Sequence, residues 1–154
     1  SNNDSNINSE LEIRPYFPET DEMVVAGSSS LPRYYTEYMD ELFHLALQIL
    51  VQSLEVVTCF SESTKSEIIG EAVDKKDLYQ ILLRCINRAE SKLANGYLAC
   101  KALRLLACDN PDIKEQIKLD DNAKQCIGNA YQVGQVRHVL LKDESYQLWQ
   151  AVCQ

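Results

Sequence analysis

The spacing of the apolar residues restricts this chain more than any other feature. From Tyr34 onward they recur three, four and seven positions apart, and no convincing alternating run appears. That spacing gathers side chains on one side of an α-helix, whereas a half-buried strand needs alternation. Five glycines and four prolines in 154 residues are too few for the turns of an all-β chain. The body is predicted to be all-α.

The pattern predicts a first helix over 34–60, buried along Leu42, Leu45, Ile49, Val56 and Phe60 and widened by Leu50 and Val57. Small polar residues at 61–64 interrupt it, and a two-turn helix follows over 65–73. Asp77 reads as a cap opening a helix over 78–89, with Leu78, Ile81, Leu82, Cys85 and Ile86 inward. A helix over 91–108 buries Leu98, Ala102, Leu103, Leu106 and Ala107, and Asp109-Asn110-Pro111 stops it. Further helices are expected over 112–118, 121–133 and 135–153, with Gly134 marking the last break.

Charge divides the chain. The formal net charge is −8, but residues 1–30 hold six acids against Arg14, while residues 31–154 carry 17 acids and 14 bases, or −3. Residues 1–30 therefore read as a flexible or extended acidic segment and 31–154 as the helical domain. Within the segment, residues 11–25 mix aromatic, proline and acid like a linear recognition peptide, and AGSSS at 26–30 reads as a joint. A near-neutral body is a poor phosphate binder, so no nucleic acid is expected. No run approaches 18 apolar residues, so no membrane span is expected, and no secretory signal is readable, which suggests an intracellular setting, cytoplasmic or nuclear.

Sliding the sequence along itself aligns Ser53–Ile68 with Ala102–Ile117 at an offset of 49 without a gap. Leu54/Leu103, Val57/Leu106, Cys59/Cys108, Lys65/Lys114 and Ile68/Ile117 coincide. In both copies a long helix ends at a polar corner and a short helix begins, as expected when each unit buries the same face against the next. Ala99, Ala102, Leu103, Leu106, Ala107, Asn110, Pro111, Lys114 and Ile117 follow a pattern that resembles the third helix and following turn of the armadillo repeat. Over residues 42–153 the resemblance implies a right-handed helical stack with third helices lining a peptide-binding groove. Where such grooves carry an asparagine that holds ligand backbone, this chain has Leu105 and, 49 residues earlier, Val56. The resemblance thus implies a groove that reads side chains by burial.

No glycine-rich phosphate loop, GxSxG or HExxH is present, and two histidines offer little to a catalytic pair, so no enzyme activity, cofactor or metal is expected. Six cysteines without a CxxC pair read as reduced, buried thiols. The expected function is protein–protein interaction, as a scaffold or adaptor module taking a peptide or helix on the third-helix surface. Gln48, Gln52, Val56, Lys101, Arg104 and Leu105 form the expected contact row. Arg84, Arg88 and Lys92, at four-residue spacing, form a basic face able to attract an acidic peptide such as residues 11–25. Trp149, the only tryptophan, is a candidate anchor at an apolar end of the stack, and Tyr34, Tyr35 and Tyr38 are a candidate lid on the core. A second reading is a helical oligomerisation or regulatory domain that associates through its apolar ends, with homo-oligomers as the outcome.

Overall fold

The computed structural model describes residues 33–154, and side chains over 35–71 and 77–154. The acidic segment, its Ser-rich joint and the Leu31-Pro32 helix start lie outside the described residues. Seven helices and no strand occur among the described residues: α1 (Arg33–Val57), α2 (Glu62–Lys76), α3 (Leu78–Asn87), α4 (Leu93–Asp109), α5 (Pro111–Leu119), α6 (Asp121–Arg137) and α7 (Val139–Cys153). The all-α expectation holds for them. The chain divides into two compact units, 1–43 and 44–154. In the first, Tyr38, Met39, Leu42 and Phe43 are exposed.

The second unit is built around α4. The expected inward set Leu98, Ala102, Leu103, Leu106 and Ala107 is buried, and so are Ala99 and Cys100, because neighbours cover α4 from several directions. It packs against α2, α3, α5, α6 and α7; α3 also meets α6, and α6 meets α7. Close approach is set by small residues. A Cβ on Gly96 would stand 2.5 Å from that of Ala89, which is itself buried.

The corners follow local chemistry. Asn110 accepts hydrogen bonds from the Asp112 and Ile113 amides at 3.0 and 3.2 Å, and Pro111 occupies the first turn, where its missing N–H costs nothing. Asp120 accepts from the Ala123 amide at 3.1 Å with one oxygen and from the Tyr79 hydroxyl at 2.9 Å with the other, joining the start of α6 to α3. His138 caps α7 by accepting from the Leu141 amide at 3.0 Å. Counted back by 49, Asn110 falls on Ser61, which stands at the N-terminal boundary of α2.

Four local expectations are corrected. Along α1 the inward residues are Leu47, Val51, Leu54 and Val57, while Leu42, Leu45, Ile49, Val56 and Phe60 are 40% exposed or more; both sides of this helix are apolar, and spacing alone selects neither. Gly134 does not break the last helices, which part at His138; it is buried inside α6, where a Cβ would lie 2.4 Å from the Lys142 amide nitrogen. Asp77 does stand at the N-terminal boundary of α3, which opens at Leu78 as expected, but it lies in the left-handed region, φ 48°, and makes no side-chain capping bond. Cys85, Cys100 and Cys126 are buried thiols, but Cys59, Cys108 and Cys153 are exposed because they lie off the packed faces; all six are free.

Candidate interaction surface

Two ion pairs organise the surface of α4. Lys101 Nζ reaches Glu55 Oε1 of α1 at 2.8 Å, and Arg104 holds Glu144 of α7 through two parallel bonds, Nε to Oε2 at 2.7 Å and Nη2 to Oε1 at 3.0 Å. Each carboxylate raises the pKa of its cation, so both bases stay charged. His44 Nδ1 lies 2.6 Å from Asn95 Oδ1, a second tie between α1 and α4. In this row Lys101 and Arg104 already have partners inside the chain, and Leu105 is half-buried against the core.

The other expected residues fall in three places. Gln48, Gln52 and Val56 are exposed on α1. Arg84 is exposed on α3, but Arg88 lies past its last residue, Asn87, and Lys92 stands at the boundary of α4. The helix stops too early for these three to share one face. Trp149 is 40% exposed on α7, on the far side from Glu144, and so belongs to neither group.

The outer side of α1, where Gln48, Gln52 and Val56 were expected to make contacts, also carries Leu45 and Ile49, which were expected to be buried. Leu45, Ile49 and Val56, flanked by Gln52 and Phe60, lie roughly 180° around the helix from Leu47, Val51 and Leu54. Their exposures are 52%, 63% and 58%. Between Leu45 and Ser61 the chain has a single charged residue, Glu55, and Lys101 engages it. That absence of charge was the available signal.

A second apolar surface lies between α6 and α7. A cleft of about 310 Å³ is lined by Lys124, Ile127, Gly128, Tyr131, Tyr146 and Trp149. Its Tyr131 and Tyr146 rings are 6.1 Å apart. Gln135 donates to the Tyr131 hydroxyl at 3.1 Å and Gln150 to that of Tyr146 at 3.0 Å. Lys124 is engaged by Asp121 at 2.7 Å, which lowers the carboxyl pKa. The Lys124, Gly128, Tyr131 stripe faces away from Cys126, whose thiol reaches Asn87 of α3 at 3.7 Å. Of the residues after Asp143 only Glu144 is charged, and Arg104 engages it.

A smaller cleft of about 260 Å³ between α3 and α6 is lined by Asn87, Glu90, Asn129 and Gln132 above Ile86 and Ala130. Among the described residues no group of three or more His, Cys, Asp or Glu side chains could hold a metal ion, and no helix is long and apolar enough to cross a membrane. Comparison with protein-family models, curated proteins and solved structures gives no match.

Proposed function

We propose that the chain is a protein–protein interaction module of armadillo-like helical-repeat type that binds a partner segment on the outer side of α1. The observation that carries this reading is the two-sided apolar character of α1. A helix that is apolar all round is normally covered all round, and the Leu45, Ile49, Val56 stripe is uncovered. Gln48 and Gln52 border the stripe with uncharged donors and acceptors, which suits a partner read by burial rather than by charge.

The order of the elements supports the repeat reading. After α1 come two successive sets of three helices, α2–α3–α4 of 15, 10 and 17 residues and α5–α6–α7 of 9, 17 and 15 residues. The offset of 49 carries Ser61 onto Asn110, Leu54 onto Leu103 and Val57 onto Leu106, and both members of each leucine and valine/leucine pair are buried. The register then slips by one, since Ile69 rather than Ile68 is buried in α2.

The test compares proteins captured from a cell extract by the chain and by its Ile49→Glu/Val56→Glu variant, with circular dichroism to establish that the variant melts as a folded helical protein. Loss of specific partners from the variant is expected. An identical set on both baits would remove α1 as the binding surface.

A further inference from the structure

We propose that the two histidines of this chain respond to acid in opposite senses: proton uptake releases the α6–α7 corner at His138 and leaves the α1–α4 tie at His44 closed. The contrast follows from which ring nitrogen must carry hydrogen in each bond.

His138 is half-buried between α6 and α7, with extended backbone at φ −158° and ψ 101°. Its Nδ1 accepts the Leu141 amide at 3.0 Å. The donor there is a backbone N–H, so Nδ1 must be bare and the ring proton must sit on Nε2. Histidine changes charge between about pH 8 and pH 5, and a ring that gains its second proton loses this acceptor. A serine or asparagine at the same position would keep its oxygen throughout that range. The cap of α7 is therefore conditional on pH, unlike those of α5 and α6, which rest on Asn110 and Asp120.

The charged groups around the corner are engaged elsewhere. The Tyr97 ring of α4 stands 6.1 Å from the His138 ring, and Lys101, one turn further along α4, is held by Glu55. Arg137 of α6 adjoins His138 and sends its guanidinium to the Glu90 carbonyl at 2.8 Å; Glu90 itself lines the α3–α6 cleft. Lys142, one turn along α7, pairs with Asp143 at 3.7 Å, and Glu144 pairs with Arg104. Asp112, Lys114, Glu115 and Lys118 of α5 follow the far end of α4, past the Arg104–Glu144 pair. That pair also sets how far the release extends. Ahead of Glu144, Val139 and Leu140 already face solvent and Leu141 is buried. Loss of the cap thus frees one helical turn and brings Leu141 out beside two exposed apolar neighbours.

His44 is half-buried on α1, and its Nδ1 lies 2.6 Å from Asn95 Oδ1 of α4. A carboxamide oxygen only accepts, so here Nδ1 carries the hydrogen in the neutral ring. A second proton goes to Nε2, and the bond persists in charge-assisted form. Asp40 and Glu41 precede His44 by one turn, and Lys92 precedes Asn95 at the boundary of α4.

The experiment uses the full chain and two variants, His138→Asn, which keeps a capping oxygen that does not titrate, and His44→Gln. Long-range proton–nitrogen correlation spectra at about pH 7.5 should place the ring proton of His138 on Nε2 and that of His44 on Nδ1. Between about pH 7.5 and about pH 5.5, exchange of the Leu141 amide, corrected for the intrinsic effect of pH, should accelerate about fivefold relative to that of Leu103, the loss expected for an N-cap. His138→Asn should abolish the acceleration and His44→Gln should preserve it. A proton on Nδ1 of His138 or on Nε2 of His44 in the neutral rings, a Leu141 response no larger than that of Leu103, or an acceleration that survives in His138→Asn would overturn the proposal.

Discussion

Arg104 and Glu144 face each other across α4 and α7 with two parallel hydrogen bonds, 2.7 and 3.0 Å, and both side chains are largely withdrawn from water. This fork-to-fork geometry is the strong form of the ion pair, and each member leaves the other stranded if removed. Glu144→Ala is expected to cost about 3 kcal/mol of unfolding free energy. In a double-mutant cycle with Arg104→Ala, urea denaturation should give a coupling above about 1 kcal/mol. Additive effects would show that the pair is a surface ornament.

The glycines of α6 should respond in opposite directions to the same substitution. Gly134→Ala forces a Cβ against the Lys142 backbone and should destabilise by about 2 kcal/mol, because backbone cannot yield as a flexible side chain does. Gly128→Ala meets nothing and should stabilise the monomer by about 0.5–1 kcal/mol. Thermal melts of the two variants at a single dilute concentration decide the matter.

Alkaline pH should weaken the fold through Tyr79. Burial first, and the Asp120 carboxylate that accepts its hydroxyl second, raise its pKa above the ordinary value of 10.0. The unfolded tyrosine therefore ionises before the folded one, so the contribution is complete below about pH 10 and is lost as pH rises beyond it. Urea midpoints should fall between pH 9 and about pH 11, and Tyr79→Phe should flatten that part of the decline. Cys85, Cys100 and Cys126, also raised by burial, act with the same sign from about pH 9.

The thiols should divide into two kinetic classes. Cys59, Cys108 and Cys153 are exposed, whereas Cys100 is fully buried and its thiol pKa is driven up by burial and then by Glu144. Native labelling with a thiol-specific disulfide reagent should modify the first group quickly and reach Cys100 only as the protein opens. Peptide mapping identifies the order, and early modification of Cys100 would contradict the packing.

The sequence analysis reads best where a residue's neighbours follow from local spacing. The inward stripe of α4 is legible from its five aliphatic and small residues, though not the added burial of Ala99 and Cys100, and the Asn110-Pro111 corner is legible because its cap and its proline act within one turn. Legibility fails where two answers share one pattern. Along LALQILVQSLEVV apolar residues occupy both sides of the helix, and only long-range partners, Lys101 and Asn95 on α4, decide which side turns inward. Gly134 fails similarly, since glycine can end a helix or admit another backbone, and only the position of Lys142 distinguishes them. Trp149 stands out by its rarity, but the tyrosines beside it are separated from one another by 15 positions in the chain, and no local pattern joins them.

The burial of α4 bears on how the unit opens. Ala99, Cys100, Ala102, Leu103 and Leu106 have no exposed surface at all, and α2, α3, α5, α6 and α7 all pack on α4. Amide hydrogens in the middle of α4 therefore exchange only when the whole unit unfolds, while those of α1 and α7 exchange through partial opening of one flank. Protection should be greatest around Leu103 and decline toward both ends of α4.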